Sequence, residues 1–154
     1  LKIVLLTVGK LGRSPEAELA RDYAQRATAT GRALGLGPVE VVEVEARKSG
    51  KAAEAEVLGP HLAEAYVIAC DEGGTARRSR DFAAHIARLR DDGVRKVVIV
   101  VGGADGLDPT ILAAAREKMA FGVQTWPHAL VRVMLAEQTY RACTILAGTP
   151  YHRD

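Results

Sequence analysis

The segment Lys96-Val97-Val98-Ile99-Val100-Val101-Gly102-Gly103-Ala104-Asp105-Gly106 holds an unbroken β-branched run that is halted by a pair of glycines. A run of this kind, with no polar alternation, is the pattern of a strand buried on both faces inside a parallel sheet. Three further runs repeat it, Leu1 to Val8, Val39 to Val44 and Tyr66 to Cys70, each stopped by glycine or charge. Helical patterns fill the intervals. Ser14-Pro15-Glu16 supplies an N-cap and a proline at N1 for a helix running toward Gly31. A weaker helix spans Lys51 to Leu58, ended by Gly59-Pro60. The next starts at Ser79 and closes at Gly93, with Phe82, Ile86 and Leu89 spaced for one buried face. Asp108-Pro109 opens a fourth helix that is expected to reach Lys118, Met119 to Val123 reads as a short fifth strand, and Leu130 to Leu146 as the last helix. The alternation predicts one open parallel-sheet α/β domain over residues 1–154.

Composition limits what such a domain does. The chain has 154 residues and a net charge of +2, with a pI near 8.7, short of the field of a module that grips bare nucleic acid by charge alone. Its two cysteines, Cys70 and Cys143, lie far apart with no CxxC spacing, which favours a reducing cytoplasmic setting. The first apolar run is too short for a signal peptide or a membrane span. No set of His, Cys and carboxylates has metal-ligand spacing.

In open α/β sheets ligands bind beyond the carboxyl ends of the strands. Three loops leave such ends: Arg47 to Lys51, Asp71 to Arg80, and Gly102 to Gly106. Neither the dinucleotide fingerprint nor a phosphate loop is present, so nucleotide binding of the phosphate-loop kind is disfavoured. Gly102-Gly103 reads either as a tight turn or as a place where a ligand approaches the backbone closely. The basic clusters at 47–51 and 77–80 read as solvated charge or as phosphate contacts. His61 and His85 are assigned to structure or solvent, Arg132 and Glu137 to a solvated helix face, and Leu130, Val131, Met134 and Leu135 to core or interface. An acceptor aspartate of the signalling-domain kind is disfavoured, because the first strand ends in Thr7-Val8-Gly9 without an acidic pair for Mg²⁺. The end of the chain is different. Thr149-Pro150-Tyr151-His152-Arg153-Asp154 gathers a stacking ring, an imidazole able to take or hold a proton and a fixed fork of donors. The residues alone point to an α/β enzyme or binding domain with a site built from late loops and tail.

Four segments, Val98 to Gly106, Pro127 to Val133, Glu137 to Ala142 and Pro150 to Arg153, resemble the ribosomal RNA large subunit methyltransferase H family of the SPOUT methyltransferases, and the likeness runs over essentially the whole chain. The resemblance implies an open parallel-sheet SPOUT fold whose C-terminal segment is threaded as a trefoil knot, which connection rules would not predict. It implies a homodimer that binds S-adenosylmethionine in the knot, uses no metal, and methylates N3 of a pseudouridine in 23S rRNA of the assembled ribosome. Carried onto this sequence, the cofactor pocket falls on Cys70, Gly102, Gly103, Phe121, Gly122, Val123, Gln124, Thr125 and Trp126. The substrate site falls on His128, Arg141, Tyr151, His152 and Arg153. His152 or His128 is the expected proton acceptor, and Arg153 or Arg141 the expected stabiliser of the anionic base. On this view the tail folds back to build the cavity, reaching a partner subunit's pocket in the dimer. Departures from the family pattern are Ala104-Asp105 in place of Pro-Glu, Cys70 in place of leucine, and Thr149. Leu1 stands where the family has methionine, as expected from a non-AUG start codon translated literally. A non-catalytic ribosome-binding module with the same fold is the remaining alternative.

Overall fold

A computed structural model describes residues 1–154. Its five strands, β1 (Lys2–Val8), β2 (Val39–Val44), β3 (Tyr66–Thr75), β4 (Lys96–Val101) and β5 (Glu117–Met119), form one sheet in the order β2-β1-β4-β3-β5. Every pairing is parallel. Four α-helices connect them, α1 (Pro15–Gly31), α2 (Lys51–Leu58), α3 (Ser79–Asp91) and α4 (Pro109–Ala114), and α5 (His128–Ala147) follows the last strand.

The strand alternation divides the core in two. Ile3 and Leu5 of β1 and Val97, Ile99 and Val101 of β4 face a cluster shared with α1, α3 and α5. Val4, Leu6 and Val8, with Val98 and Val100, face a smaller cluster with Leu58 of α2 and Ile111 of α4. Both faces of the central strands are therefore covered, which is why their sequences run apolar without interruption. Helix α1 starts as its sequence predicts, with Ser14 Oγ accepting from the Ala17 N–H at 3.2 Å. Its buried face is almost all alanine, Ala17, Ala20, Ala24 and Ala27, which lets α5 lie close against it. None of the helices is long and apolar enough to cross a membrane.

Four elements differ in their bounds from the sequence reading. Helix α4 stops at Ala114 instead of running to Lys118, because the Arg116 N–H donates to the Val67 carbonyl at 2.8 Å and draws the chain into the sheet. The fifth strand is accordingly Glu117–Met119, not Met119 to Val123. Its signal was polar: Glu117 accepts from the Tyr66 hydroxyl at 2.7 Å and from Arg77 at 3.1 Å, and lies 2.8 Å from His85. Strand β3 continues past Cys70 to Thr75 through a bulge in which Cys70 and Thr75 both register with Met119. The last helix starts at His128, two residues before its expected start, and ends in Gly148, which adopts the left-handed conformation at φ 73°. The Gly148 N–H donates to Ile145 and the Thr149 N–H to Thr144, turning the tail back along the helix.

Candidate active site

All strands point the same way, so the carboxyl ends of β3 and β4 share one edge with the segment running from β5 into α5. Together they wall a cavity of about 700 Å³, a volume in the range of small-molecule sites. Strand β3 contributes Cys70, Asp71 and Glu72, and β4 contributes Val101 and the turn Gly102 to Gly106. The segment after β5 contributes Met119 to Gly122, Gln124 to His128 and Val131. Eight of the nine residues expected around the cofactor line this cavity, together with His128. Val123 does not; its side chain is fully exposed.

The lining holds the carboxylates Asp71, Glu72 and Asp105 and no lysine or arginine. Such a wall repels phosphate and favours a ligand of net positive charge. Sequence reasoning places these acids in strand-end loops and weighs only Asp71, as a disfavoured phosphoacceptor. Burial pushes the Cys70 thiol up to about 12, which keeps it neutral and unreactive at physiological pH. The loop over the cavity closes on itself, the Trp126 indole donating to the Phe121 carbonyl at 3.1 Å. From Phe121 to Trp126 no backbone N–H has a partner within the chain, so this loop can offer its amides to a planar ligand.

Close approach to the paired glycines comes from the chain itself, not only from a ligand. A Cβ on Gly102 would stand 2.8 Å from the Gly106 carbonyl oxygen, inside the turn. A Cβ on Gly103 would stand 2.7 and 2.9 Å from the two carboxylate oxygens of Glu54 on α2. Glu54 Oε2 is buried there without a hydrogen-bond partner.

Arg132 corrects the reading of a solvated helix face. It is 2% exposed and reaches from α5 to the end of β1, donating to Val8 O at 2.9 Å, Gly9 O at 3.2 Å and Glu43 Oε2 at 3.0 Å. Burial pulls the guanidinium pKa down while Glu43 opposes the shift. Glu43 Oε2 also accepts from the Leu11 N–H at 2.9 Å. Glu137 is not solvated either, since Arg141 donates to it at 2.7 Å. The basic run at 77–80 is likewise partly consumed within the chain, with Arg77 paired to Glu117 and Arg80 to Asp154.

The tail is docked, but not on the cavity of its own chain. Tyr151 packs edge-on to Tyr140, with centroids 4.7 Å apart, and lies under the Arg141 guanidinium at 4.8 Å. Arg141 Nη1 is 3.1 Å from His152 Nδ1, and His152 Nε2 is 2.9 Å from Asp154. Arginine can only donate, so the His152 Nδ1 accepts and its Nε2–H donates to Asp154. Arg80 and His152 hold the Asp154 carboxyl down at about 2. Arg141, Tyr151 and His152 thus form one cluster, with Arg153 exposed beside it. Thirteen helical residues separate His128 from Arg141, about 20 Å of axial rise. Of the five expected substrate-site residues, only His128 lines the cavity, and its ring makes no hydrogen bond within the chain.

A parallel sheet with a strand-end cavity and a C-terminal helix returning beneath it defines a class that the sequence comparison identifies. The model of the family described as predicted SPOUT methyltransferase matches residues 1–152, so the chain belongs to that family. Within it, the chain falls in the ribosomal RNA large subunit methyltransferase H family. It is 75% identical over 154 residues to ribosomal RNA large subunit methyltransferase H of Caulobacter vibrioides, covering 100% of this chain and 99% of that protein. It is 66% identical over 154 residues to the protein of the same name from Phenylobacterium zucineum, covering all of both chains. A solved structure, the SpoU methyltransferase AviRb from Streptomyces viridochromogenes in complex with the cofactor AdoMet, matches at a TM-score of 0.42 with 16% identity. That match covers 90% of this chain, which spans 56% of the AviRb chain.

Proposed function

We propose that the protein transfers the methyl group of S-adenosylmethionine to N3 of a pseudouridine in 23S rRNA of the assembled ribosome, in the cytoplasm. Given the family, the observation that carries this reading is the charge of the cavity. S-adenosylmethionine bears a sulfonium and an ammonium against one carboxylate, and the wall offers three carboxylates and no competing cation. When bound, it supplies a methyl group activated for in-line displacement.

The chain supplies position and proton management. The amides of Phe121 to Trp126 would hold the adenine, Gly102 and Gly103 would let the β4 turn form the floor, and the neutral Cys70 would close the wall. His128, unengaged and at the cavity, takes the proton of the ring nitrogen. His152 is less suited within one chain, because both of its ring nitrogens are occupied. We read residues 1–154 as one domain with the trefoil threading of its family, acting as a homodimer. The cavity rim supports that reading: Val123, Trp126 and Leu130 are among the few large apolar side chains left exposed. Pairing of two chains would cover them and bring Arg141, Tyr151, His152 and Arg153 of one chain to the cavity of the other. The test is mass mapping of ribosomal RNA from cells lacking the gene, before and after the protein is added back, alongside calorimetric titration with S-adenosylmethionine. The expected result is one methyl restored on one pseudouridine; binding of the cofactor with no methyl restored would leave only a ribosome-binding module.

A further inference from the structure

The carboxyl edge of the sheet is divided by charge. Its β3–β4–β5 half carries the acidic cavity. Its β2–β1 half carries two loops that the chemistry above leaves unused. Strands β1 and β2 end level, with Val8 in register with Val44 and the Gly9 N–H donating to the Val44 carbonyl at 2.8 Å. The loops that follow therefore leave side by side. They carry Lys10 and Arg13 after β1, and Arg47 and Lys48 after β2, all exposed. None of the four is in an ion pair, whereas Arg77 and Arg80, where β3 leads into α3, are both paired.

Between the loops runs a groove of about 680 Å³ whose wall includes Lys10, Arg47 and His61. Three carboxylates share the groove, Glu43, Glu45 and Glu56. Buried Arg132 neutralises Glu43 from below, so within the groove Lys10 and Arg47 stand against Glu45 and Glu56, and exposed Arg13 and Lys48 on the same loops tip the balance to positive. The same pair sets the shape of the first loop, since Glu43 accepts from Leu11 and Arg132 donates to Val8 and Gly9. The loop is thus held in place before any partner arrives, which lowers the ordering cost of binding.

We propose that the β1–α1 and β2–α2 loops are the surface that holds rRNA phosphates, next to the cavity that holds the cofactor; this rests on the proposed rRNA methyltransferase reading. Exposed, unpaired Lys and Arg on neighbouring fixed loops suit a polyanion. A membrane or protein partner would also need apolar contact, and the exposed large apolar side chains, Leu19, Val123, Trp126 and Leu130, all lie outside these loops.

The experiment compares wild type with the variant Lys10→Glu/Arg47→Glu/Lys48→Glu. The probe is 70S ribosomes purified from cells lacking this gene, titrated at several NaCl concentrations. Arg32→Glu/Arg88→Glu/Arg95→Glu, which changes three exposed arginines near the opposite edge of the sheet and the same net charge, is the control. Thermal midpoint and S-adenosylmethionine affinity are measured on each. The loop variant should bind ribosomes at least tenfold more weakly. Its slope of log affinity against log salt should be shallower by about 0.7–0.9 for each phosphate the loops no longer neutralise, with folding and cofactor affinity kept. Wild-type slope and affinity in the loop variant, or an equal weakening in the control, would overturn the assignment while leaving the methyltransferase reading intact. Failure of wild type itself to bind ribosomes would overturn both.

Discussion

The Glu54 carboxylate fills the space a side chain at Gly103 would need, with both of its oxygens within 2.9 Å of that position. Helix α2 thereby braces the turn that forms the floor of the cavity, although Glu54 itself is not part of the lining. Gly103→Ala should destabilise the protein by about 1–3 kcal/mol, the usual cost of overpacking, and weaken S-adenosylmethionine binding. Glu54→Ala should relieve part of that loss in the double variant. Urea unfolding of the four proteins of the cycle measures the coupling, and strictly additive effects would contradict the contact.

Arg132 joins α5 to the end of β1 and to Glu43. Arg132→Met leaves the Glu43 carboxylate half-buried and unpaired, and a loss of about 3–5 kcal/mol is expected for breaking such a pair from one side. Arg132→Met/Glu43→Gln should recover part of it. The unfolding midpoint in urea at constant m-value reports both.

His128 is the histidine of the cavity. His128→Ala should slow single-turnover methylation by about 10²–10⁴-fold, the span usual for a general base, while S-adenosylmethionine affinity by calorimetry stays within a few-fold. An unchanged rate would remove His128 from the proton-transfer role.

The tail should be separable from assembly. Deleting Pro150 to Asp154 is expected to abolish methylation while sparing the proposed dimer, as read by activity on ribosomes and by light scattering. A monomeric product would show that the tail holds the subunits together instead.

Tail docking should also respond to acid. The Asp154 carboxyl is lowered from 3.8 to about 2, first by its hydrogen bonds with Arg80 and His152. A depressed carboxylate contributes while ionised, so the contribution is complete above about pH 4 and disappears as pH falls toward 2. The side-chain carboxyl resonance of Asp154 should titrate near 2 in wild type and return toward 3.8 in Arg80→Ala.

Much of this architecture is legible in the chain. Four β-branched or aliphatic runs mark the central strands because burial on both faces leaves no room for polar alternation. Ser14-Pro15 and Gly148 mark helix ends because capping is local chemistry. Strand β5 is less legible, since Glu117-Lys118-Met119 carries no apolar run and is held at the sheet edge by Arg116 and Glu117 contacts made far away in sequence. Helix α4 ends short of its sequence pattern for the same reason. Arg132 and Glu137 look like solvated charges because nothing in a helical pattern reveals a partner 89 residues away or a guanidinium one turn on.

By itself the sequence determined the fold class, because periodicity and caps are carried by neighbours along the chain, and through its resemblance the family; of the nine residues that the resemblance implies for the cofactor, eight line one cavity. Only the tertiary structure decided which charges are spent within the protein and which remain free. It also placed the tail cluster away from the cavity of its own chain and put Glu54 against Gly103. Those facts depend on long-range contacts, whose energies are set by burial and distance in three dimensions.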